Sequence, residues 1–139
     1  MRIEWDEDLT TSIPLVDTQH QNILIKTNEF LEAMNEGRGE LEAANAIKLL
    51  KDWADSHFSI QEKYMLENGY PKYELHKADH EKYVKVVGLL ENEFKAQASS
   101  SYLVKKIETA LLHYWTEHVP KFDKPLAEFL RDNIEKLIL

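Results

Sequence analysis

Five of the six histidines in this 139-residue chain, His20, His57, His76, His80 and His118, occupy positions where several imidazoles could share one task. His76-Lys-Ala-Asp-His80 is an i,i+4 pair, which on a helix sets two ring nitrogens one turn apart and able to meet a single metal ion. There is no cysteine, so disulfides, thiolate zinc sites, iron–sulfur clusters and thiol nucleophiles are excluded by inventory. Imidazole nitrogen with carboxylate oxygen, and no sulfur, suits iron, zinc, manganese or copper. No histidine is preceded by the Glu-x-x of ferritin-like di-iron bundles, and the His-Glu-x-x-His of zinc proteases is absent, so those two families are set aside.

Helices must position these rings. Glycine, proline and serine punctuate the chain at Gly37 and Gly39, at Asn68-Gly69-Tyr70-Pro71 and at Ser99-Ser100-Ser101, and three breaks imply four helices. The predicted spans run from about Asp17 to Glu36, Leu41 to Glu67, Tyr73 to Ala96 and Ser101 to His118. Pro120 is expected to end the fourth, and Pro125 to Leu137 to form a short fifth helix packed on the others. Three-and-four spacing then sets Val16, His20, Ile23 and Thr27 on one inner stripe, and Leu50, His57 and Gln61 on another. His76, His80 and Val87 make a third stripe, and Ile107, Leu111 and His118 a fourth.

One histidine on such a stripe is ordinarily a core residue bonded to a neighbour. Five on four facing helices would need five sets of partners that an apolar core does not supply, and a metal satisfies them together. His113 lies five residues before His118 and points elsewhere, to the surface or to packing. Tyr64, Tyr83 and Tyr114 read as packing residues with one satisfied hydroxyl. Asp17 reads as a helix cap, and Asp6, Glu7, Asp8, Glu40 and Glu42 as solvated surface.

With 25 acidic against 17 basic side chains the net charge is −8, and the lysines are scattered, which argues against a nucleic-acid partner. The charged start is no secretory signal and no stretch has the length of a membrane span, so a single cytoplasmic domain over residues 1–139 is expected. No nucleophile or acid–base pair stands out, and an enzyme is not expected.

Over nearly its whole length the sequence resembles the hemerythrins, non-haem di-iron proteins that bind dioxygen. The residues carrying the resemblance are Trp5, Val16-Asp-Thr-Gln-His20, His57-Phe58 with Met65, Gly69-Tyr70, His76-Lys-Ala-Asp-His80 and His118-Val-Pro-Lys-Phe-Asp123. The resemblance implies an all-α, up-down-up-down antiparallel four-helix bundle holding two irons. His76, His80 and His118 would bind one, His20 and His57 the other, and Asp123 would bridge them. Phe58, Trp115 and Val119 would wall a dioxygen pocket on the side of His20 and His57. There are two departures from the family pattern. Gln61 stands where a second bridging glutamate is usual, and its neutral amide is a weak, single-metal ligand, so the second iron is expected to be held less tightly. Glu62 next to it points about 100° away and is not expected to substitute. Tyr114 and Trp115 replace the usual Trp and Leu. A single-metal storage or regulatory module and a peroxide- or dioxygen-reactive oxidoreductase are the alternative functions.

Overall fold

The computed structural model describes residues 2–97 and 100–138, with side chains for 2–96 and 100–133. Among them there is no strand. After a 3-10 turn at Glu7–Leu9, α1 spans Pro14–Asn35 and α2 spans Gly39–Asp52. A π-helical turn at Trp53–His57 joins α2 to α3, Phe58–Glu67, so that these three pieces make one rod. α4 spans Tyr73–Gln97, and α5, Ser101–His113, continues through a π-helical segment at Tyr114–Asp123 into α6, Lys124–Ile138. The result is an up-down-up-down four-helix bundle with an added C-terminal helix.

The turns follow from the glycines. At Gly37 (φ +77°) and Gly69 (φ +65°) the backbone enters the left-handed region that a Cβ disfavours. Each closes a helix in the same way. Arg38 N–H donates to the carbonyl of Ala33 and Gly37 N–H to that of Met34, and Tyr70 and Gly69 donate likewise to Met65 and Leu66. At the start of α5 the Ser100 hydroxyl accepts from Leu103 N–H at 3.1 Å; Ser99 lies outside the described residues. Replacing Ser100 with Ala is expected to cost about 1 kcal/mol, read as a fall of roughly 3–5 °C in melting temperature.

Three expectations need correction. The first helix begins at Pro14, whose fixed φ suits the first turn, and not at Asp17. Asp17 therefore caps nothing; its carboxylate accepts from Thr11 N–H at 2.9 Å and Thr11 O–H at 2.8 Å, tying down the preceding loop. Nor does Pro120 end the fourth helix. It sits inside the π segment, where bonds run from residue i back to i−5, as Lys124 N–H to Val119 shows, and the wider turn takes the ring without breaking the rod. Asp6 is also more than solvated surface, since its carboxylate accepts from Asp8 N–H and pairs with Lys124 on α6 at 2.5 Å.

Two apolar clusters hold the bundle. Ile23, Leu24, Phe30, Ile47, Leu50, Leu90, Leu103, Ile107 and Leu111 form the larger. Ile13, Val16, Met65, Tyr70, Leu126 and Leu130 form the smaller, against which α6 lies. Burying each large aliphatic side chain stabilises by about 1.5–3 kcal/mol over leaving it exposed. Along α1 the site histidine falls between Val16 of the smaller cluster and Ile23 of the larger.

Candidate metal centre

His20, His57, Gln61, His76, His80, His118 and Asp123 are all buried, at most 2 % exposed. His76, His80, His118 and Asp123 place one ligand atom each within 4.8 Å of one another, and so do His20, His57 and Asp123. Asp123 belongs to both groups because its two oxygens face different ways. Oδ1 lies 3.1 Å from His76 Nε2 and 3.0 Å from His118 Nε2, whereas Oδ2 lies 3.0 Å from His20 Nε2. The π segment makes this possible: residues five apart come onto one side of its wide turn, which brings Asp123 beneath His118.

Two imidazoles present bare acceptors to the interior. His57 donates Nδ1–H to Gln19 Oε1 at 3.2 Å and His80 donates Nδ1–H to Glu62 at 2.9 Å, and the inner Nε2 of each is buried without a partner. Burial, then the neighbouring His20, holds His57 well below its ordinary pKa; burial, then His76 and His118, holds His80 down at about 2. Both rings are neutral, the state that binds metal. His118 goes the other way. Burial opposes its charge, but Asp123 and a 2.6 Å bond from Nδ1 to Asp79 outweigh it and raise the pKa to about 9. In the metal-free chain Asp79 and Asp123 thus favour the charged His118 ring, and a cation bound at its Nε2 would take the place of that proton, leaving Asp79 to hold Nδ1–H.

A cation fits this arrangement. Two donors each about 2.1 Å from one metal and at right angles are roughly 3 Å apart, matching the separations between Asp123 and its three histidines. A cation also answers the bare Nε2 atoms of His57 and His80. Gln61 reaches the centre only through Nε2, 3.4 Å from Asp123 Oδ1.

The outer partners Gln19, Glu62 and Asp79 were not legible as such from the sequence, yet they obey a rule. Each is the chain neighbour of a site residue (His20, Gln61 and His80) and serves a histidine on a different helix. A step of one residue turns a side chain by about 100°, out of the centre and toward the next helix. Glu62 is accordingly no ligand but an anchor for His80.

The expected pocket residues divide. Trp115 lies beside His20, ring centroids 5.7 Å apart, with its indole N–H donating to the buried Thr27 hydroxyl at 3.3 Å. Phe58 lies flat on His80 at 4.0 Å, on the three-histidine half and not beside His20 and His57 alone. Val119 is buried in the larger cluster. Tyr114 does more than pack, since its hydroxyl donates to Asp123 Oδ2 at 3.2 Å. Tyr83 bonds His113, which is exposed and outside the centre.

A helical bundle that buries five imidazoles around one carboxylate is a metal-binding protein. Comparison with known proteins gives the family: the Hemerythrin HHE cation binding domain matches residues 11–130, and the chain belongs to the hemerythrin family. It is 28 % identical to the bacteriohemerythrin of Pseudomonas aeruginosa over 135 residues, 96 % of this chain and 85 % of that protein. It is 30 % identical to the bacteriohemerythrin of Methylococcus capsulatus over 115 residues, 82 % of this chain and 85 % of that protein. No solved structure gives a significant match. Among the described residues no helix is long and apolar enough to cross a membrane.

Proposed function

We propose that the chain binds dioxygen, or a similar small ligand, at a pair of non-haem irons and is not primarily an enzyme. The observation that carries this reading is the division of Asp123, with Oδ1 against His76 and His118 and Oδ2 against His20. One carboxylate so shared defines two cation positions. His76, His80 and His118 would hold one iron and His20 and His57 the other, and when bound the irons would supply redox chemistry toward dioxygen. Three imidazoles serve the first position and two the second, so the second has room for an added ligand. Gln19, Glu62 and Asp79 fix the ring orientations through Nδ1, and Phe58, Trp115 and Val119 exclude water.

Anaerobic titration with ferrous ion tests this. The expected result is two irons per chain and a new absorption band on admitting oxygen that is lost when oxygen is removed. One iron per chain, with no optical change in air, would instead support the single-metal reading that the neutral Gln61 favours.

Trp115 sets the space beside the two-histidine position. Replacing it with Leu is expected to raise azide affinity of the iron-loaded protein more than about tenfold. The same change should cost stability by about 2–4 kcal/mol, because it leaves a cavity and an unpartnered Thr27 hydroxyl. Optical azide titration and thermal melting read the two effects separately.

A further inference from the structure

Next to the metal centre lies a second polar pair that the binding of dioxygen does not use. The edge of the Tyr83 ring on α4 meets His118, centroids 5.6 Å apart at 82°. Its hydroxyl donates to Nδ1 of His113 on α5 at 2.6 Å. A phenol that loses an electron becomes a very strong acid, and a short bond to imidazole gives its proton an immediate destination. Tyr114 lacks this exit: it is buried, and its hydroxyl donates to Asp123 and not to an imidazole.

Tyr83 and His113 also line an open groove of about 460 Å³ between α4 and α5. Val86, Leu90 and Ala110 contribute apolar wall, while the phenol–imidazole pair supplies polar atoms. Such a groove suits a small ring bearing one hydroxyl. A phenol is also the donor whose potential lies close to that of tyrosine, because the same bond is broken in each.

We propose that Tyr83 is a redox-active residue that passes single electrons from a small phenol in this groove to the metal centre, with His113 holding its proton. The proposal rests on the reading of the centre as redox-active iron, and hydrogen peroxide is the oxidant. Tyr83 gives one electron toward the centre past His118, its O–H bond breaks, and the proton moves to His113 Nδ1. The bound phenol then returns an electron to Tyr83, His113 gives back the proton, and the phenol's own proton leaves to water. Two such turns reduce one peroxide: the O–O bond breaks, two protons are taken up, two waters form, and two phenols become two phenoxyl radicals. Tyr83 thereby drains oxidising equivalents that would otherwise damage the ligands.

The iron-loaded chain treated with peroxide and freeze-quenched is expected to show a tyrosyl radical by electron paramagnetic resonance. Tyr83→Phe should lose it at unchanged iron content. His113→Ala should slow its formation at least about tenfold, with imidazole in solution restoring the rate. A second arm uses the metal-free chain, oxidised by a flash-generated ruthenium(III) complex, and again expects the radical on Tyr83. Titration with 4-methylphenol should shift the NMR signals of Val86 and Leu90. A radical on Tyr83 after the flash but none with peroxide supports the relay and faults the iron reading. A radical elsewhere in both arms, equal yields in wild type and Tyr83→Phe, or unmoved groove signals overturns the proposal.

Discussion

Asp123→Asn is expected to leave the chain almost without metal after dialysis, while its helical circular dichroism stays that of the parent. The carboxylate is 2 % exposed and, among the described residues, is the anion shared by both ligand groups. Asn keeps its shape and removes its charge. Breaking a buried charge contact by taking one partner costs about 3–5 kcal/mol, which corresponds to more than about 100-fold in affinity at each position. Because metal binds the folded chain, the rise in melting temperature on adding ferrous ion should vanish with the affinity. The checks are metal analysis per chain and melting with and without metal. Full retention of metal by this variant would show that Asp123 is not the bridge.

Gln61→Glu is expected to act in the opposite direction, raising iron content toward two per chain. Two divalent ions about 3.5–4 Å apart repel by roughly 20 kcal/mol at an effective dielectric of about 20, so every anion between them counts. The parent supplies one, Asp123, and at position 61 an amide whose Nε2 faces Asp123 and whose Oε1 is buried without a partner. Losing an outer partner of a ligand ordinarily costs about 10–100-fold, so gaining a negatively charged ligand should strengthen the second iron by at least about 100-fold. That iron is the one at His20 and His57, which has fewer imidazoles. Parallel ferrous titrations decide it. Equal, tight binding of two irons by both forms would mean that solvent or an exogenous anion already supplies the charge. In the metal-free state the added carboxylate would lie close to Asp123, so the variant should melt lower than the parent until metal is present, a reversal that mere packing damage would not give.

Helices, turns and the convergence of five histidines were legible in the sequence because each follows from a local rule. Three-and-four spacing placed His20, His57, His76, His80 and His118 on inner faces, and the glycines at 37 and 69 marked turns that only a left-handed residue closes. Asp123 was reached through family resemblance; its spacing of five from His118 fits no ordinary α-helical face. The structure explains that spacing by the π segment, a feature no local propensity announces, since Pro120 by itself argues for a break.

The sequence by itself therefore determined the class of fold, the elements that have no sulfur ligand and the imidazole inventory of the centre. Those follow from residue type and period, which are properties of each helix alone. Only the tertiary structure decided which oxygen of Asp123 faces which histidines, that Gln19, Glu62 and Asp79 anchor rings on other helices, and that Trp115 lies against His20 while Phe58 covers His80. It also decided that Tyr83 meets His113, thirty residues away, at the head of an open groove. These are relations between helices, set by the rotation and axial shift with which the rods pack, and a helix's own sequence fixes its inner face without fixing what stands opposite.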